Sequence, residues 1–132
     1  MSVFLDTSGL YALLDADDTN HSRAAKTWSL LLERDEDLVT NNYVLVESFA
    51  LSQNRLGLES VRVLQQRFLP LLRTVWIDED VHRAAVVALL TTGRRRLSLV
   101  DCASFETMRR GEIGTAFAFD RHFAEQGFAL IP

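Results

Sequence analysis

A single cysteine, Cys102, is present, so no internal disulfide can form and nothing points to an oxidising compartment. No apolar run approaches the roughly 20 residues needed to span a bilayer. The start, Met1-Ser2-Val3-Phe4-Leu5, has no basic segment and meets an acid at Asp6, which makes a poor signal peptide. Repeats, linkers and low-complexity stretches are missing as well. These absences predict a soluble, cytoplasmic chain with no membrane association, folded as one domain over residues 1–132. What is present agrees: 48% of residues are hydrophobic, far too many for disorder, and a chain of this length can bury roughly two-thirds of its unfolded surface.

Lysine is nearly absent, with Lys26 alone against thirteen arginines. Arginine suits planar contacts to phosphate, although a compositional bias of the genome produces the same ratio. Net charge is −4 and the pI about 5.3, which argues against a general basic nucleic-acid binder. Setting aside four acids singled out below, Asp6, Glu47, Asp101 and Asp120, leaves −4 + 4 = 0, a neutral remainder.

Short apolar runs alternate with helical patterns. Val3-Phe4-Leu5, Leu38-Val39-Thr40, Thr74-Val75-Trp76-Ile77, Thr115 to Phe119 and Phe128 to Ile131 read as strands. Between them, Thr7-Ser8 is expected to cap a helix through Leu10, Leu13 and Leu14. A second helix starts near Thr19-Asn20, with Ala24, Trp28, Leu31 and Leu32 on one face. Asn41 or Asn42 caps a helix carrying Glu47, and another runs from Glu59 to Leu69 and stops at Pro70. Asp78 to Leu90 presents Val81, Ala84, Ala85 and Ala88, and Ser98-Leu99-Val100-Asp101 reads as a capping box. Such alternation predicts a three-layer α/β/α domain around a parallel sheet covered on both faces.

The four acids stand where chemistry is placed in such folds. Asp6 and Asp120 directly follow strand runs, and strand carboxyl ends open into the crevice where ligands bind. Asp101 opens a helix near the same edge. Glu47 interrupts the apolar stretch Val44-Leu45-Val46 and Ser48-Phe49-Ala50-Leu51. Each alone also reads as a cap, a turn residue or a solvent-facing side chain. Together they make a case, because two carboxylates about 5 Å apart repel by roughly 3 kcal/mol at an effective dielectric near 20. A convergent quartet therefore calls for protons or hard divalent cations, Mg²⁺ or Mn²⁺, which prefer oxygen ligands. Such ions activate water and stabilise charge in phosphoryl displacement.

These residues also carry a resemblance. Phe4-Leu5-Asp6-Thr7-Ser8, Val46-Glu47, Leu97-Ser98-Leu99-Val100-Asp101 and Phe119-Asp120-Arg121-His122-Phe123, in that order over essentially the whole chain, resemble PIN-domain ribonucleases, particularly VapC-type toxins of toxin–antitoxin pairs. The resemblance implies a five-stranded parallel sheet in the order 3-2-1-4-5. It implies an Mg²⁺- or Mn²⁺-dependent endoribonuclease leaving a 5′-phosphate and a 3′-hydroxyl. By position, Asp6, Asp101 and Asp120 would hold metal, and Glu47 would bind metal or orient the attacking water. Thr7, Ser8 and Ser98 would be supporting hydroxyls. The implied partners are an RNA substrate, a cognate antitoxin and a second copy of the chain, with Val61, Leu64 and Phe68 as apolar positions that permit a homodimer. Many relatives carry Thr where this chain has Ala118, a departure that removes one supporting hydroxyl.

Arg94-Arg95-Arg96, just before the Ser98 motif, is a candidate RNA-phosphate contact, and equally a solvated loop or a match for a partner's acids. His21, His82 and His122 have no metal-ligand spacing and read as surface or packing residues. Cys102 reads as a small buried hydrophobe, and Trp28, Trp76 and the phenylalanines as core. Three other readings stay in view. A phosphate-accepting receiver domain needs a late lysine, and Lys26 is too early. A non-catalytic PIN-like binding module normally shows itself by losing acids. A metal-dependent phosphoesterase acting on something other than RNA shares the same acids.

Overall fold

A computed structural model describes residues 1–132. The strands are β1 (Ser2–Leu5), β2 (Asp37–Asn41), β3 (Arg73–Val75), β4 (Thr115–Phe117) and β5 (Ala129–Ile131). All neighbours pair in parallel, in the order β3-β2-β1-β4-β5, as the resemblance implies. The helices are α1 (Thr7–Leu14), α2 (His21–Glu33), α3 (Asn42–Leu56), α4 (Leu58–Val63), α5 (Glu79–Thr92), α6 (Leu99–Arg110) and α7 (His122–Glu125). The central strand β1 is apolar because both of its faces are covered: Val3, Phe4 and Leu5 are fully buried. Around it the main core, with Leu10, Leu13, Ala24, Val39, Val44, Phe105, Met108, Phe117 and Phe123, closes the layers, and Ala85, Cys102 and Ala103 form a smaller cluster. No helix is long and apolar enough to cross a membrane.

Local chemistry places most elements where the pattern does. Asn41 ends β2 and caps α3, its Oδ1 accepting from Val44 N at 2.8 Å. Asp78 caps α5, and Ser98 with Asp101 closes a capping box at the start of α6. The differences are instructive. Neither Thr7 nor Ser8 caps α1: the cap is Asp6, one residue earlier, whose side chain accepts from Ser8 N. The helix expected to stop before Pro70 instead passes from α4 into a π-helical turn, Leu64–Phe68, and a 3-10 turn, Leu69–Leu71, that contains Pro70. Proline is tolerated there because its missing N–H lies in the first turn.

Several side chains are also redistributed. Leu64 is fully buried and Phe68 packs on Trp28 with ring centroids 5.3 Å apart, so that segment does not offer the apolar surface expected of it. Trp76, just beyond β3, is 73% exposed and is not core, while Leu32 of α2 lies at the surface. Strand β3 is an edge strand of three residues, and Trp76 and Ile77 have already left the ladder. Cys102 is buried, as its reading as a small hydrophobe requires, and that burial pushes its thiol pKa up.

Candidate active site

The sheet's carboxyl edge is built by a small set of polar contacts. Leu5 is in register with Phe117, and Asp6 N donates to Phe117 O at 3.2 Å, so β1 and β4 end together. Ser8 Oγ donates to Asp6 Oδ2 at 2.8 Å and accepts from Phe119 N at 3.0 Å, tying the two strand exits to one hydroxyl. The approach is too close for a side chain at Gly9: a Cβ there would sit 2.3 Å from the Phe117 ring and 2.5 Å from its carbonyl oxygen. Glycine is what allows α1 to start against β4.

Two further helices are aimed by Asn41. Its carbonyl caps α3, and its amide donates to Thr107 Oγ1 at 3.1 Å and Ser104 Oγ at 3.4 Å on α6. This fully buried side chain therefore links the helix carrying Glu47 to the one carrying Asp101. Asp101 Oδ2 accepts from Ser98 N at 3.0 Å while Ser98 Oγ accepts from Asp101 N at 3.1 Å. Asp120 Oδ1 accepts from His122 N at 3.0 Å, an Asx turn that holds the carboxylate at the exit of β4.

These elements bring all four acids to one cavity of about 410 Å³, whose walls include Asp6, Glu47, Asp101 and Asp120. Thr7, Ser8 and Ser98 line it too, with Tyr11, Arg55 and Arg96. Thr7 Oγ1 is buried without a hydrogen-bond partner. The three arginines of the basic loop differ in what they reach. Only Arg96 of the three also lines the acidic cavity; all three line a neighbouring hollow, where Arg94 pairs with Glu125 at 3.3 Å. Ala118 is buried in the core and does not line the cavity, and the strand end it belongs to is held by Ser8 instead.

Electrostatics single out Asp6. Burial pushes its pKa up to about 6, and the Asp101 charge adds to that, against hydrogen bonds from Ser8 and Thr7 N that favour the ionised form. Desolvation wins over the cap. Tyr11, on the wall of the cavity, donates to Asp15 Oδ2 at 2.8 Å, and burial together with that bond raises its pKa. Arg55 lies over the Tyr11 ring, 5.4 Å from its centroid.

Two residues escaped the sequence reading. Arg55 follows Glu47 at i+8 on α3, with Leu51 between them at i+4, and all three line the cavity; helical periodicity from Glu47 would have found it. His122, read as a surface or packing residue, stands beside the acids. Its Nδ1 is 3.1 Å from Asp120 Oδ1 and 3.6 Å from Asp101 Oδ2. One ligand atom from each of Asp101, Asp120 and His122 falls within 4.8 Å of the others. The available signal was the Asp120-Arg121-His122 spacing after a strand, since an Asx turn brings residue i+2 back towards the carboxylate. The other two histidines do pack, His21 against Ala12 O and His82 against Tyr43.

The donor set is carboxylate oxygen plus one imidazole, with no thiolate in contact, and the buried Nδ1 of His122 has no hydrogen-bond partner. Such a set fits a divalent cation.

Comparison with known proteins agrees with this architecture. A family model described as the PIN domain matches residues 3–129. The chain is 32% identical over 130 residues to the 23S rRNA-specific endonuclease VapC20 of Mycobacterium tuberculosis, covering 98% of this chain and 97% of the relative. The crystal structure of that VapC20, described as a Sarcin-Ricin loop cleaving toxin, superposes with a TM-score of 0.85 at 31% identity over 96% of each chain. VapBC2 from Rickettsia felis, bound to a promoter DNA fragment, shares the fold at a TM-score of 0.73 and 14% identity, over 98% of this chain and 97% of that one. The resemblance read from the four acidic segments is borne out: the chain belongs to the PIN domain family.

Proposed function

We propose that this protein is a divalent-metal-dependent endoribonuclease, the toxin of a type II toxin–antitoxin pair, acting in the cytoplasm. The observation that carries the reading is the convergence of Asp6, Glu47, Asp101 and Asp120 on one cavity at the carboxyl edge of a parallel sheet. Full-length likeness to a relative named as an rRNA endonuclease supports it and makes ribosomal RNA the first substrate to test. A binding module that had abandoned catalysis would have no reason to keep four acids on one cavity, with Asp6 buried beside the charge of Asp101.

Mg²⁺ or Mn²⁺ bound here supplies Lewis-acid charge and lowers the pKa of water at neutral pH. Asp101 and Asp120 would hold the cation, with Asp6 completing the oxygen set from the end of β1. Ser8 and the Ser98 cap keep two of these carboxylates in fixed rotamers through the contacts described above. Glu47, on α3, would accept a hydrogen bond from the attacking water and orient it towards phosphorus. Arg96 and Arg55 flank the acids and would meet the phosphates either side of the scissile bond, with Arg94 engaged by Glu125 and contributing less.

A cognate antitoxin would cover this cavity; VapBC2 from Rickettsia felis shares the fold. Pairing with a second copy would use exposed apolar side chains such as Val46, Trp76 and Leu90, which sedimentation of Trp76→Ala protein tests directly. The decisive experiment for the activity incubates purified protein with intact ribosomes, single-stranded RNA and DNA, in Mn²⁺ or in EDTA. Metal-dependent RNA cleavage with new 5′-phosphate ends is the expected result. Cleavage that persists in EDTA, or that is confined to DNA, overturns the reading.

A further inference from the structure

Nothing in the four-acid pattern requires a histidine, yet one imidazole nitrogen is built into the acidic cluster. His122 opens α7, and its backbone N–H is already committed to Asp120 Oδ1. That bond fixes the turn and carries the ring back over the carboxylates. Nδ1 is then buried, 3.1 Å from Asp120 Oδ1 and 3.6 Å from Asp101 Oδ2. At these separations an ordinary imidazole would donate to one of the two oxygens. It does not: Nδ1 has no hydrogen-bond partner, so its in-plane direction misses both.

That combination is the geometry of ligands which share a centre. Atoms bonded to one cation point at the cation, not at one another. With bonds of about 2.1 to 2.2 Å, neighbouring ligand atoms fall about 3.0 Å apart in octahedral and about 3.5 Å apart in tetrahedral sites. The 3.1 Å separation matches an octahedral edge, and 3.6 Å is a somewhat wider ligand-to-ligand distance around the same centre. Asp101 and Asp120 each keep a hydrogen bond that orients the carboxylate, to Ser98 N and His122 N respectively, as ligating carboxylates usually do.

We infer that His122 Nδ1 is a direct metal ligand alongside Asp101 and Asp120, so that this site selects Mn²⁺ over Mg²⁺. The inference rests on the metal-dependent reading above and sharpens it. Mg²⁺ is satisfied by carboxylates and water, whereas a nitrogen donor adds most for transition metals. Asp6 and Glu47 complete the lining of the same cavity.

The test uses the whole protein with Mn²⁺ and Mg²⁺ as probes. Calorimetry should give tighter binding of Mn²⁺ than of Mg²⁺ by about tenfold or more, a preference that His122→Asn, which keeps an oxygen donor, reduces by about tenfold. Pulsed electron paramagnetic resonance of Mn²⁺ bound to the unmutated protein should show hyperfine coupling to a directly bonded ¹⁴N. This measurement needs no variant, so it stands even if His122→Asn is poorly folded. Bound Mn²⁺ without nitrogen coupling, lost on Asp101→Asn, overturns the histidine ligand and leaves the acidic site standing. An unchanged Mn²⁺-to-Mg²⁺ ratio in folded His122→Asn overturns it too. If neither ion binds the unmutated protein, the metal-dependent reading fails together with this one.

Discussion

Helix α3 is the common wall of two concavities. Asn42, Leu45, Val46 and Phe49 face a groove of about 530 Å³ completed by Leu69, Pro70 and Trp76. Glu47, Leu51 and Arg55 face the acidic cavity of about 410 Å³. Val46 and Glu47 are adjacent in sequence and about 100° apart around the helix, so one helix separates apolar surface from charge. The apolar groove is the roomier, but it offers no ionisable group. In the acidic cavity carboxylates are held close by caps and turns, and one of them is buried at an energetic cost that the fold alone does not recover. Volume separates the two poorly; convergent charge separates them well.

Activity should divide them most sharply. Asp101→Asn keeps an acceptor for Ser98 N but removes a charge, and should cut RNA cleavage roughly a thousandfold, a loss of about 4 kcal/mol of barrier lowering. Trp76→Ala, in the other concavity, should leave the cleavage rate of the same RNA unchanged. Equal losses in both variants, measured on protein with native circular dichroism, would break the comparison.

Stability should divide them next, and in the opposite sense from ordinary mutagenesis. The folded pKa of Asp6, about 6, lies above its unfolded value of 3.8. The carboxyl's ionised form is therefore disfavoured in the fold, and the destabilisation is fully present above pH 6, fades as pH falls and is gone below 3.8. The difference corresponds to about 3 kcal/mol. Asparagine caps a helix as well as aspartate does. In metal-free buffer at pH 7.5, Asp6→Asn should thus raise the melting temperature by several degrees. The gain should shrink towards pH 4, and thermal melts across that range check it. A loss of stability at pH 7.5 would show that the Ser8 contacts outweigh desolvation.

Smaller effects refine the picture. Ser8→Ala leaves Phe119 N without its acceptor and should cost about 1 to 2 kcal/mol in urea unfolding, with weaker metal binding as Asp6 loosens. Arg96→Gln should lower the salt dependence of single-stranded RNA binding by a slope of about 0.7, the release of one phosphate contact. Arg94→Gln, already paired with Glu125, should change the slope little. Fluorescence anisotropy across a salt series distinguishes them.

Much of this architecture was legible from pattern alone. Short apolar runs, a capping box at Ser98 and Asp101, and an asparagine cap at Asn41 are local signals, and the elements formed where those signals lie. The errors share a cause. The cap of α1 fell on Asp6 because the register of β1 against β4 decides where the strand ends. Trp76 lies outside the core because β3 is an edge strand, which apolar character alone does not reveal. Leu64 is buried, not at the surface, because a π-helical turn rotates side chains off the α-helical period.

The chain's own composition and periodicity determined the alternation of strands and helices, the caps that start three of the helices, and which acids stood at element ends. Those are consequences of interactions within a few residues, and they can be read in order. The convergence of Glu47 with Asp6, Asp101 and Asp120, the reach of Arg96 into their cavity, the burial that lifts the Asp6 pKa, and the approach of His122 to Asp101 were decided only by tertiary structure. Each depends on distances across sheet order and helix packing, and such distances leave no mark on the sequence around a single residue.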